Sequence, residues 1–148
     1  MPTGTDFQCH FHPLNALSPL KYVVICTFFN GRYLLSRHRK RATWETQGGH
    51  IEPGEAPDDA ARRELFEESG ITDADIFPVC DDFGFDSTSW SNGRLYAAVA
   101  HALGDMPDSE MKEARLFDAL PEALTYPSVT PAMFEQAARF AGEKHRLL

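Results

Sequence analysis

The stretch Gly49–Ile71, GHIEPGEAPDDAARRELFEESGI, decides the fold, because it places a tight turn, a proline-started helix and a dense run of carboxylates in one segment. Glu52-Pro53-Gly54-Glu55 reads as a turn, since proline presets φ at the first central position and glycine accepts the positive φ of a type II second position. Pro57 suits the first helical position, Asp58 and Asp59 complement the positive end of the helix dipole, and Gly70 is placed to close the helix. The spacing therefore predicts a helix from about Pro57 to Ser69. On it Ala61 and Leu65 face a core, while Glu64, Glu67 and Glu68 stand at i, i+3 and i+4 and converge on another patch. Like charges at that spacing cost roughly 0.2–0.5 kcal/mol per pair unless a cation offsets them. Such a run is either a solvated acidic face or a seat for a hard divalent cation, which takes carboxylate oxygens, water and phosphate together.

The surrounding residues favour the second reading. Gly49, Glu55, Arg63, Glu64, Leu65, Glu67, Glu68, Gly70 and Ile71 match the Nudix box, G-x5-E-x7-R-E-U-x-E-E-x-G-U with U aliphatic, at every specified position. The chance of such a match at a given start is on the order of 10⁻⁹ to 10⁻¹⁰. The chain thus resembles the Nudix hydrolases, and the flanking pattern extends the resemblance from about residue 20 to about residue 125.

The resemblance implies an α/β fold, a Nudix-type α/β/α sandwich with a central mixed β-sheet, and hydrolysis of a nucleoside diphosphate linked to another moiety with Mg²⁺ or Mn²⁺. Carried over residue by residue, Glu67 and Glu68 are the main metal ligands, Glu64 is a ligand or the water-activating carboxylate, and the Gly48 carbonyl completes the sphere. Arg63 pairs with Glu55 and holds helix to loop, leaving the metal-facing glutamates free. Arg37 and Arg39 are the candidate phosphate contacts, and an acidic loop brings a further carboxylate, Glu110 ahead of Glu113. Glu64 or Glu110 is then the general base. In similar proteins Pro often precedes the Gly-Gly pair; Gln47 stands here, a form also seen in dinucleoside-polyphosphate and RNA-capping branches.

At 148 residues, 43% hydrophobic and 24% charged, the chain reads as one globular domain. Its formal charge of −8 argues against a nucleic-acid polymer as partner. Cys9, Cys26 and Cys80 are odd in number and lack zinc-ligand spacing, which with the absence of a signal peptide points to the cytoplasm. No apolar run is long enough to span a bilayer.

Along the chain, residues 1–20 read as a loosely packed or edge-packed lead-in, with His10 and His12 lacking a third metal ligand. Tyr22 to Phe29, Asn30-Gly31 and Arg32 to Arg37 form a hairpin. Arg37-His38-Arg39-Lys40-Arg41 is either a phosphate-steering patch or a solvated hairpin end. Trp44 to Gln47 reads as a short strand running into Gly48-Gly49, where missing side chains let backbone approach a ligand. Ala74 to Cys80 reads as a strand, Asp81 to Ser91 as an irregular loop whose Phe83, Phe85 and Trp90 either stack a base or pack, and Asn92-Gly93 as a turn. Strands follow at Arg94 to Leu103 and near Glu110 to Phe117, then a helical turn at Pro121 to Leu124 and a C-terminal helix from Thr130 and Pro131.

The shortness of the chain and the lack of signatures for ADP-ribose or coenzyme A favour a MutT-like reaction, a nucleoside triphosphate cleaved to monophosphate and pyrophosphate. An ADP-ribose or dinucleoside-polyphosphate hydrolase is the alternative, and a silent nucleotide sensor a lower one. Exposed strand edges suit a homodimer.

Overall fold

The computed structural model describes residues 6–145. The first five residues of the expected lead-in lie outside the described residues. In chain order the elements are β1 (Gln8–His12), β2 (Tyr22–Phe29), β3 (Arg32–His38), β4 (Gln47–His50), α1 (Pro57–Ser69), β5 (Ala74–Phe85), β6 (Trp90–Ala100), β7 (Met111–Phe117) and α2 (Thr130–His145).

The continuous β-branched and aromatic run of β2 suits a strand covered on both faces, and the structure places it at the centre of one sheet ordered β1-β5-β6-β2-β3-β7. Tyr22, Val24, Cys26 and Phe28 pack with Met133, Phe134 and Ala137 of α2, while Val23 and Ile25 pack with Ala60, Ala61 and Leu65 of α1. β2 pairs β6 in parallel and its other neighbours antiparallel, so the sheet is mixed and the architecture is the expected α/β/α sandwich.

On its other edge β2 changes partner halfway. Thr27 to Phe29 pair with β3 across the expected hairpin, and Tyr22 to Ile25 pair with β4. Gln47 fills the fork between β3 and β4: it accepts from Thr27 Oγ1 at 2.7 Å and donates to Leu34 O at 3.2 Å and Ser36 Oγ at 2.9 Å. Ser36 Oγ in turn donates to the Glu68 carbonyl at 2.8 Å, tying the fork to the last turn of α1. Gln47 is fully buried, and its side-chain amide is spent on these three contacts.

α1 spans the expected residues. Proline opens it, Asp58 and Asp59 sit in its first turn, and Gly70 closes it at φ 81° with its N–H on Phe66 O.

The lead-in takes the edge-packed of its two readings: residues 8–12 form an edge strand on β5, and Phe7 is buried in the α2-side core. Three local readings need correction. Asp81 to Ser91 is not an irregular loop, because β5 continues to Phe85 and β6 begins at Trp90. The Asn92-Gly93 turn is absent; Gly93 lies within β6 opposite Tyr22, whose ring occupies the space a Cβ would need. Pro121 to Leu124 forms no helical turn, and Leu124 instead bridges to Trp44.

Candidate functional site

The Glu52-Pro53-Gly54-Glu55 turn forms with Glu55 N–H on Glu52 O at 3.0 Å and Gly54 at φ 78°, the geometry proline and glycine specify. It delivers Glu55 to Arg63, which grips both carboxylate oxygens at 2.8 and 2.9 Å. That fork-to-fork contact holds the Glu55 carboxyl down at about 2, chiefly through the Arg63 hydrogen bond. Arg63 also donates to His50 O at 3.1 Å, so one guanidinium joins helix, turn and β4.

Between α1, β4 and the segment before β7 lies a cavity of about 590 Å³, lined by Gly48, Gly49, Glu64, Glu67, Glu68 and Glu110 together with His50, Glu52, Arg63, Phe66 and residues 107–109. A Cβ on Gly49 would stand 2.5 Å from Glu64 Oε1 and oblige that carboxylate to move. A Cβ on Gly48 would stand 2.5 Å from the Val23 carbonyl.

The box glutamates differ in environment. Glu68 is 9% exposed and accepts from the Gly48 N–H at 2.8 Å. Burial pushes its carboxyl up to about 9, against the lowering effect of that N–H and with reinforcement from the charges of Glu64, Glu45 and Glu110. Glu64 is pushed up to about 7 by burial, opposed by Arg63, whose Nη1 lies 2.9 Å from Glu64 Oε1. Glu67 is about half exposed and meets Arg63 at 3.4 Å. Arg63 therefore occupies two of the three glutamates besides Glu55, where the sequence expected them free.

Among the described residues no three His, Cys, Asp or Glu side chains stand close enough together to hold a metal ion. Arg63 draws Glu64 and Glu67 one way, and the Gly48 N–H holds Glu68. The donors nevertheless suit a hard divalent cation: they are carboxylate oxygens, and two of them, on Glu64 and Glu68, are buried in one lining.

The remaining expected residues divide. Glu110 lines the cavity, whereas Glu113 accepts from Arg37 Nη2 at 2.8 Å on the sheet face of Trp44. Arg37 is thus not at the cavity, because alternation along β3 turns it to the α2 side with Leu35. Arg39 is not turned into the cavity either; it binds Asp108 and the Ser109 carbonyl, each at 2.8 Å. Phe83 stacks on Trp90 at 5.5 Å and touches Phe85, at the β5–β6 hairpin and away from the cavity lining. His10 packs edge-on against Phe85.

Sequence reasoning missed Glu52, Phe66 and Asp108 in the lining. Glu52 and Phe66 occupy unspecified positions of the box, where only periodicity could have marked them: Phe66 is an apolar residue on the polar side of α1, 41% exposed.

The NUDIX domain model matches residues 19–139. Among curated proteins the chain is similar to the RNA pyrophosphohydrolase of Proteus mirabilis, 41% identical over 54 residues, covering 36% of this chain and 30% of that protein. It is also similar to Nudix hydrolase 19, chloroplastic, of Arabidopsis thaliana, 34% identical over 74 residues, covering 49% of this chain and 17% of that protein. The chain thus spans less than a third of the length of these relatives. Among solved structures, the Bacillus subtilis pyrophosphohydrolase BsRppH superposes with a TM-score of 0.71 at 25% identity, over 99% of this chain and 96% of that one. The NUDIX domain of Shewanella oneidensis NrtR, complexed with ADP ribose, shares the fold at a TM-score of 0.66 and 17% identity, over 84% and 89% of the two chains.

Proposed function

The chain belongs to the NUDIX domain family, pyrophosphohydrolases that act on a nucleoside diphosphate linked to another moiety, and from that premise we propose that its substrate is a nucleoside 5′-triphosphate cleaved to monophosphate and pyrophosphate. The observation that carries this reading is the cavity itself. Its wall is a row of carboxylates facing a Gly-Gly backbone, suited to a polyphosphate held through cations, and one exposed aromatic ring, Phe66, stands at it. One ring offers an apolar surface to one nucleobase, whereas a dinucleoside polyphosphate presents two.

Glu64, Glu67 and Glu68, with the Gly48 carbonyl, would hold Mg²⁺ or Mn²⁺, which when bound neutralises phosphate oxygens and lowers the pKa of water. The chain's own residues do the rest. Arg63 fixes the turn against α1 through Glu55, and the Gly48-Gly49 backbone lines the cavity opposite the carboxylates. A carboxylate, Glu64 or Glu110, accepts the proton of the attacking water.

A second reading has its own support. The curated relative from Proteus mirabilis is an RNA pyrophosphohydrolase, and the Bacillus subtilis structure is a pyrophosphohydrolase of similar length. A 5′-triphosphorylated RNA end offers the same phosphates as a free nucleotide, so the two readings share one site. The net charge of −8 favours the free nucleotide, because a long RNA adds repulsion without added cations. The two edge strands, β1 and β7, are where a second copy would add.

The test is chromatographic identification of all products, pyrophosphate, phosphate, nucleotides and sugar phosphate, with Mg²⁺ and with EDTA, from the common nucleoside triphosphates, a 5′-triphosphorylated oligoribonucleotide, ADP-ribose and a diadenosine polyphosphate. Metal-dependent pyrophosphate from free triphosphates establishes the first reading. Turnover confined to the oligoribonucleotide establishes the second, and turnover confined to ADP-ribose or the dinucleotide overturns both. Calorimetric binding of a nucleotide without any hydrolysis would make the protein a sensor.

A further inference from the structure

The carboxylate cavity has a neighbour. A second cavity of about 480 Å³ lies behind it, lined by His38, Arg39 and Lys40 at the end of β3. Asp108, Ser109 and Glu110 line both, so these three residues are the partition between the two. The partition belongs to the connection from β6 to β7, which is fixed at two places.

Its near end rests on backbone. Gly104 lies so close to the Gly70 carbonyl, and Gly70 to the Asp105 carbonyl, that neither has room for a Cβ. Its far end rests on Arg39. The Arg39 N–H donates to the Glu110 carbonyl at 2.9 Å, Nε to the Ser109 carbonyl at 2.8 Å and Nη2 to Asp108 Oδ1 at 2.8 Å. One residue therefore grips three consecutive residues of the partition. The Glu110 side chain itself is 83% exposed, with His38 Nε2 3.8 Å away, so little besides its backbone fixes where it stands.

We infer that Arg39 is a positioning residue which holds the 108–110 partition and thereby sets the Glu110 carboxylate over the carboxylate cavity, rather than a ligand of the substrate's phosphates. Its guanidinium is already engaged by a carboxylate and a carbonyl of its own chain, in the planar two-nitrogen geometry that a lysine ammonium does not reproduce. The kinetic part of this inference rests on the proposed triphosphate hydrolysis; the structural part does not.

The experiment compares wild type, Arg39→Ala, Glu110→Gln and the double variant by hydrogen exchange over residues 104–112 and by steady-state kinetics with the best triphosphate. Arg39→Ala is expected to speed exchange in that segment at least five-fold while leaving α1 unchanged. It should lower kcat about ten-fold with KM shifted less than two-fold, and add less than two-fold to the loss in the Glu110→Gln background. Unchanged exchange overturns the inference, as does a loss confined to KM, which would make Arg39 a substrate ligand, or a loss that adds in full to that of Glu110→Gln. A wild-type protein that hydrolyses no triphosphate overturns the proposed function, and the exchange result then decides this inference alone.

Discussion

Glu68 is a carboxylate taken almost wholly out of water, with one backbone N–H for a partner and a pKa raised to about 9. At neutral pH without a cation it is therefore mostly protonated, and an amide replaces it with little change of shape. Glu68→Gln should leave stability within about 1 kcal/mol of wild type. In the proposed mechanism Glu68 holds the cation, so turnover should drop at least about 100-fold; an active, metal-dependent variant by pyrophosphate assay would remove Glu68 from the machinery. Asp82 is a buried acid of another kind, far from the cavity. Its Oδ2 accepts from Tyr22 Oη at 3.1 Å and its Oδ1 is buried without a partner. Burial raises it from 3.8 to about 7, with Tyr22 opposing and Asp81 adding. A carboxyl raised in the folded state binds its proton more tightly there than in the unfolded chain. Its contribution to stability is therefore fullest below about pH 4 and falls as pH rises to about 7. Asp82→Asn lacks that slope, so the variant should match wild type near pH 4 and exceed it by roughly 1–3 kcal/mol at pH 8. Urea melts across that range check this, and a difference independent of pH would refute it.

At the scale of elements, the fork at β2 is joined to α1 by a run of side chains, Thr27 to Gln47 to Ser36 to the Glu68 carbonyl. Gln47→Ala would leave buried Thr27 and Ser36 groups short of a partner, at about 2–3 kcal/mol. Because the run ends on the turn that bears Glu68, activity should fall at temperatures where the variant is still folded; thermal melts and initial rates measured together test this. The same comparison shows what the sequence could and could not reveal. α1 was readable to the residue because its signals are local: Pro57, Gly70 and the turn before it act within a few residues. The stretch from Asp81 to Gly93 was misread because its turn-forming residues answer to distant partners. Asp82 pairs with Tyr22 across 60 positions, and at Gly84 a Cβ would come 2.6 Å from the Phe7 ring. Arg37 was placed on phosphate because the sequence hides which face of β3 it occupies, and Glu113 and Trp44 claim it. Glu110 was legible as a loop acid; the grip of Arg39 on its loop was not, since it joins residues about 70 apart in sequence.

At the scale of the whole molecule, 22 acidic against 14 basic residues give a surplus of negative charge, much of it drawn to one cavity. A cation that binds there only in the folded state stabilises the fold by mass action. Millimolar Mg²⁺ should therefore raise the Tm of wild type more than that of Glu68→Gln, at matched ionic strength and pH 8; an equal rise in both would place the cation elsewhere. Among the described residues no helix is long and apolar enough to cross a membrane. The cavity's Gly-Gly floor, β4, is four residues long and hangs on half of β2, while the aromatic core of α2 lies on the sheet's opposite face. The floor should therefore loosen before that core does, so that activity is expected to fall silent some degrees below the melt and to speak again on cooling; initial rates taken along a thermal melt check this.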